Sequence, residues 1–68
     1  MDTNKIIFDI NTVVESNTKW ELTGSGPDFV TYTLGRGIEF AIFVEEDGKI
    51  HSSMLGEFDN FEEFKTSF

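Results

Sequence analysis

The sequence predicts an α+β domain with an N-terminal helix, an antiparallel meander of three to four strands and a C-terminal helix. Apolar residues recur at helical spacing near the start, alternate with polar residues through the middle, and return to helical spacing at the end. Both helices are expected to pack on one sheet face. The 68 residues contain no internal repeat and no Pro/Ser-rich linker, so residues 1–68 are interpreted as one domain.

The first element has two competing interpretations. Helical spacing behind two residues of the capping type favours an amphipathic helix. These residues are the capping candidates Thr3 and Asn4 and the apolar residues Ile6, Ile10, Val13 and Val14. A strand competes, because the same stretch is rich in Ile, Val and Thr and because Ile6, Phe8 and Ile10 alternate. The sequence leaves the choice open for residues 4–18.

Strands are predicted through the middle of the chain. From Lys19 the apolar period changes to two, and Gly24 is expected to end that segment. Residues 29–34 and 38–44 also alternate, and the stretch Gly35-Arg36-Gly37 between them permits a tight reversal. In the third strand one side holds Ile38, Phe40, Ile42 and Val44, and the opposite side holds Ala41 and Phe43.

A further reversal and a final helix complete the prediction. Asp47-Gly48 is a strong turn signal into a fourth strand over residues 49–53. Asp59 stands three residues before Glu62, an arrangement typical of a capped helix start. Phenylalanines follow at i, i+3 and i+7 and share one helix face, which is expected to close the core: Phe61, Phe64 and Phe68.

The chain is strongly acidic. Thirteen Asp and Glu against five Lys and Arg give a formal net charge of -8, which disfavours direct binding to nucleic acid and to anionic membranes. The longest apolar run, residues 40–44, is far too short to cross a bilayer. The chain lacks cysteine, and its first residues do not resemble a secretory signal. A cytoplasmic location in a bacterial or phage-infected host cell is therefore expected.

Groups suited to catalysis or metal binding are scarce. His51 is the single histidine, and a nucleophilic site would have to use it with Ser53, which shares its strand face. The stretch around Gly48 resembles the middle of an EF-hand loop, but Phe43 and Met54 then occupy two positions that require carboxylates. The sequence therefore predicts a non-enzymatic protein with no cofactor and no metal site.

The acidity supports two hypotheses of different class. In the first, carboxylates in the residue 45–47 turn and at the start of the last helix stand in for phosphates. They would dock on a basic protein surface, such as that of a nucleic-acid-binding protein or a nuclease. In the second, acidity serves only solubility, and the domain is a structural or regulatory subunit that associates through apolar surface, including as a homodimer. The predicted partner-binding residues are Glu45, Glu46, Asp47, Glu57, Asp59, Glu62, Glu63 and Phe43.

In length and charge the chain is similar to the small acidic inhibitors that phages and mobile elements use against host nucleases. DNA-mimic and anti-CRISPR proteins belong to this class. The resemblance is carried by 68 residues and a net charge of -8, not by a motif. It implies an inhibitor that binds the basic surface of its target.

Overall fold

A helix, five antiparallel strands and a short second helix follow one another along the chain. The structure is a computed structural model and describes residues 2–68. The elements are α1 (Thr3–Asn17), β1 (Glu21–Ser25), β2 (Phe29–Gly35), β3 (Ile38–Val44), β4 (Ile50–Ser52), β5 (Gly56–Phe58) and α2 (Phe61–Thr66). The sheet order is β1-β2-β3-β4-β5, so every strand pairs with its neighbour in sequence. The predicted α+β meander is confirmed, with five strands instead of three to four.

Helix α1 resolves the choice between helix and strand for residues 4–18. Its buried side chains are Ile7, Ile10 and Val14, which lie at i, i+3 and i+7 and so form one helix face. Ile6 and Val13, which helical spacing places on the core side, are only partly buried at the edges of that face. Packing of this apolar stripe outweighs the β-branched composition, because tertiary burial contributes more to helix stability than propensity does.

The cap of α1 differs from the prediction. The N-cap is Asp2, whose carboxylate accepts a hydrogen bond from the Lys5 amide at 3.4 Å, and not Thr3 or Asn4. The Thr3 hydroxyl instead donates to the Pro27 carbonyl at 2.7 Å. This bond ties the start of α1 to the turn between β1 and β2.

One core cluster joins both helices to one face of the sheet. Its strand members alternate along β2, β3 and β4, as side chains on one face must. The buried residues are Ile7, Ile10, Val14, Val30, Tyr32, Phe40, Ile42, Val44, Ile50 and Phe64. The Tyr32 hydroxyl donates to Asn11 Oδ1 at 2.9 Å. Burial, with a smaller contribution from the charge of Glu15, raises the pKa of Tyr32 to about 12.

The hairpin between β2 and β3 forms where the glycines predict it. Gly35, Arg36 and Gly37 have φ values of 89°, 58° and 75°. Glycine reaches this left-handed region without steric cost, whereas Arg36 is the one non-glycine residue there among residues 2–68. Ile38 follows the turn directly and is half exposed, so the side of β3 predicted to be apolar is buried only from Phe40 onward.

The edges of the sheet differ most from the prediction. Strand β1 does not stop at Gly24 but continues to Ser25, through a register shift between Leu22 and Gly24. Strand β4 spans Ile50–Ser52, not residues 49–53, and β5 is absent from the prediction. The three residues Gly56–Phe58 have no strand pattern of their own. They become a strand because β4 offers them a ladder of backbone hydrogen-bonding groups.

The aromatic side chains at the end of the chain contact one another and Trp20. The Phe64 ring lies 5.3 Å from Phe58 and 5.0 Å from Phe68, measured between centroids. Phe68 also meets Trp20 edge to face at 5.7 Å. However, Phe68 lies beyond the end of α2 and is 38% exposed, so only Phe64 of the three predicted residues is fully buried.

The start of α2 is shifted by one residue from the prediction. The N-cap is Asn60, not Asp59, and its Oδ1 accepts from the Glu63 amide at 2.9 Å. Glu63 Oε2 in turn accepts from the Asp59 amide at 3.2 Å, so Glu63 and not Glu62 reaches back. The shift follows from β5, which keeps the chain extended through Phe58 and delays the helix.

The cap assignment predicts unequal effects at two neighbouring positions. Asn60→Ala should lower the free energy of unfolding by about 1 kcal/mol, because the Glu63 amide loses its acceptor. Asp59→Ala should lower it by less than about 0.5 kcal/mol, the range of an ordinary surface substitution. Urea unfolding of the two variants measures the difference. A larger loss for Asp59→Ala would contradict the observed cap.

Candidate functional site

The sheet has a second face, opposite the core. Along each strand the residues that alternate with the buried ones point to this side. From β2 to β5 four of these residues pair directly across the sheet, in the order Phe29, Phe43, His51 and Glu57. We call this cross-strand row with its flanking residues the second face. Its members are Phe29, Thr31, Thr33, Glu39, Ala41, Phe43, His51 and Glu57, with Glu45, which directly follows β3 and contacts His51.

An exposed aromatic residue marks the centre of this face. The Phe43 side chain is 51% exposed, although it lies in the middle of the sheet on β3. Its ring packs against Phe29 with centroids 6.3 Å apart and planes inclined at 39°. The Phe29 ring lies so close over Gly26 that a Cβ there would overlap it. The pair therefore has one ring that lies against backbone and one ring that is half exposed to solvent.

His51 lies between two carboxylates on the same face. Its Nδ1 is 3.0 Å from Glu57 Oε1 across the β4–β5 pair. Its Nε2 is 3.0 Å from Oε2 of Glu45, which follows β3 directly. Only the contact with Glu57 has hydrogen-bond geometry, so the contact with Glu45 is a close ion pair when the ring is protonated. The imidazole thus bridges two acids that are far apart in sequence.

These acids favour the charged ring. The pKa of His51 is raised, first by the polar contact with Glu45, against an opposing effect of partial desolvation. The negative charge of Glu45 and the contact with Glu57 raise it further. The His51 Nε2 atom is covered, but the Glu45 and Glu57 side chains are 53% and 78% exposed, so the strength of the bridge depends on salt as well as pH.

An open cleft of about 500 Å³ adjoins Phe43. Besides Phe43, its lining residues include Asp28, Glu45 and Glu46, and Thr3 from the start of α1. Carboxylates therefore border an aromatic ring in one concave surface. The two predicted acids Glu45 and Glu46 belong to this cleft, and Glu57 reaches it only through His51.

The remaining predicted acids lie in a different place. Asp47 and Glu62 line a cleft of about 360 Å³ between the starts of α1 and α2, together with Lys5. Asp47 also accepts from the Lys49 amide at 3.0 Å, which stabilises its turn. Glu63 is engaged in the α2 cap. We call the residues Asp47, Asp59, Glu62 and Glu63 the α2-start group.

Sequence reasoning missed three residues of the second face and its cleft. His51 is a bridge and not an isolated surface residue, which depends on β5, a strand the pattern does not reveal. Phe29 and Asp28 were not singled out, although the predicted hairpin already places Phe29 opposite Phe43. The strand register that this hairpin implies is therefore the sequence signal that identifies the aromatic pair.

Residues 2–68 show neither a metal-binding cluster nor a membrane-spanning helix. No group of three His, Asp or Glu side chains is arranged to hold a metal ion. No helix in that range is long and apolar enough to span a bilayer. No protein-family model, curated protein or solved structure matches the chain.

The His51 bridge predicts how stability varies with pH. A pKa raised in the folded state means that folding favours protonated His51. The contribution of protonated His51 to the free energy of unfolding is complete below the pKa of the unfolded chain, about 6.5. It is lost as pH rises through the pKa of the folded protein. The melting temperature of the wild type should therefore fall, relative to that of His51→Gln, as pH rises from about 5.5 to 8.5. Parallel profiles for the two proteins would contradict the bridge.

Proposed function

We propose that the protein is a small, non-enzymatic binding protein that docks its second face on a basic surface of a partner protein. Exposed Phe43 beside the carboxylates Glu45, Glu46 and Glu57 carries this proposal. Interfaces gain most of their affinity from a few buried anchors, with aromatic residues prominent among them. Flanking charges set the choice of partner and the rate of encounter.

The charge of the chain supports a basic partner. A net charge of -8 on 68 residues attracts positively charged surfaces over a distance set by ionic strength. Surfaces that hold nucleic acid are positively charged for the same reason. An inhibitor that covers such a surface in place of nucleic acid, as phage anti-defence or DNA-mimic proteins do, is the specific form of this proposal.

The acids of the second face and those of the α2-start group allow a test in which two variants lose the same number of charges. The double variant Glu45→Gln/Glu57→Gln removes two charges from the second face, and Asp59→Asn/Glu62→Gln removes two from the α2-start group. Binding of a fluorescent nona-arginine peptide should weaken about tenfold in the first variant, because two exposed ion pairs are worth about 1–2 kcal/mol together. The second variant should bind about as tightly as the wild type.

The outcomes separate the competing surfaces. Equal weakening in both variants would mean that net charge alone attracts the peptide, and loss confined to Asp59→Asn/Glu62→Gln would move the interface to the α2-start group. Moderate salt should release the peptide from the wild type. Binding that is indifferent to salt would contradict an electrostatic interface.

Association through apolar surface is the second candidate function. The Phe29–Phe43 pair and half-exposed Ile38 support it, since exposed apolar groups mark many interfaces. In this form the protein is a structural or regulatory subunit, as a homodimer or with another protein, and the acids serve solubility.

The second candidate predicts a mass that depends on Phe43. A homodimer held by the second face should dissociate to monomer in Phe43→Ser, because a polar side chain replaces the apolar contact. Sedimentation equilibrium of the wild type and the variant measures this. Phe8→Ser is the matched control, since Phe8 is 70% exposed on α1, outside the second face. A wild-type monomer would exclude the homodimer.

A further inference from the structure

The cleft beside Phe43 combines two features that recognise one chemical group. An aromatic ring exposed on a sheet attracts a cation over its face. The acidic residues Asp28, Glu45 and Glu46 line the same cleft, and carboxylates accept hydrogen bonds from such a cation. The cleft is open, with a volume of about 500 Å³, so a side chain from another protein can enter it without rearrangement of the backbone.

We propose, on the basis of the function proposed above, that the cleft takes an arginine side chain of the partner and that His51 is its internal competitor for Glu45. The guanidinium stacks on Phe43 and pairs with Glu45, and the His51 ring gives up its contact at Nε2. The second face therefore binds its partner more tightly when His51 is neutral.

Guanidinium fits this site better than ammonium for a geometric reason. Its planar, delocalised charge stacks on an aromatic ring while its N–H groups remain directed outward toward carboxylates. A lysine ammonium is more strongly hydrated and offers no flat face to the ring. Phe43 therefore supplies a preference for arginine, and the acids supply attraction to either cation.

Competition follows from the shared carboxylate. His51 Nε2 lies 3.0 Å from Glu45 Oε2, a position that an arginine bound to that oxygen would also need. Protonated His51 neutralises part of the local charge of Glu45 and Glu57, so it reduces the attraction for a second cation. A neutral ring leaves both acids unneutralised.

The groups around His51 determine the direction of the pH effect. Glu45 after β3 and Glu57 on β5 contact the ring from the neighbouring strands, and Lys49 is the charged residue two positions before it. Both acids favour the protonated ring in the unbound protein. Partner binding must therefore release a proton from His51, and by reciprocity its affinity rises as pH rises.

The test compares fluorescent nona-arginine and nona-lysine peptides from pH 6 to 8.5 at fixed salt. The wild type should bind nona-arginine about fivefold more tightly at the upper pH, and His51→Gln should show a flat profile. Nona-arginine should bind about fivefold more tightly than nona-lysine, as expected for about 1 kcal/mol of stacking. Phe43→Leu should lose that preference, and the control Phe8→Leu should keep it.

A second measurement does not depend on any variant. Nuclear magnetic resonance titration of the His51 ring in the wild type should give a lower pKa with nona-arginine bound than without it, by the same reciprocity. An unchanged pKa, or identical pH profiles for wild type and His51→Gln, would overturn the competition.

Failure of this inference is distinguishable from failure of the proposed function. Peptide binding that depends on Glu45 and Glu57 but not on His51 protonation overturns only the competition. Equal affinity for the two peptides, unchanged in Phe43→Leu, overturns the arginine assignment alone. Binding that is insensitive to Glu45→Gln/Glu57→Gln overturns the second face as the docking surface, and with it both proposals.

Discussion

The fold and the candidate surface both depend on the pleat of the central strand β3. Successive side chains of a strand point to opposite faces, so burial of Phe40, Ile42 and Val44 against the helices forces Phe43 to the other side. A slip of one residue would expose the core set and bury Phe43. The register with β2 and β4 is therefore fixed by the core. The same register aligns Phe29 and His51 with Phe43 on the face that the core does not use.

The core has enough aromatic surface to hold a chain of this size without disulfides. Chains of this length bury a smaller share of their surface than larger domains, and this one has no cysteine. Aromatic contacts between distant parts of the chain compensate: Trp20 contacts Phe40 and Phe68, and Phe64 contacts Phe58. The Phe29–Phe43 pair differs from these core contacts, because it lies on the opposite side of the sheet and is only partly removed from water.

The acidic residues differ in what they do locally, and this difference narrows the proposed interface. Glu63 and Asp47 accept backbone hydrogen bonds, so their carboxylates already have a role in stabilising a helix start and a turn. Glu45 and Glu57 instead meet at a histidine on an exposed face. A histidine between two carboxylates makes local charge responsive to pH near neutrality, which the other acids do not provide. Composition alone treats all thirteen acids alike.

The sequence by itself determined the succession of the central strands, the C-terminal helix, the two hairpin turns and the buried side of β3, because spacing and glycine chemistry are local properties. It also determined that Phe43 opposes the core side. It left the helix of residues 4–18 undecided, placed both helix caps at the wrong residue and omitted β5. Tertiary structure decided the first helix, the caps and β5, because each depends on contacts of backbone or apolar groups with residues distant in sequence. The bridge from Glu45 through His51 to Glu57 is of the same kind: it exists only because β5 pairs with β4.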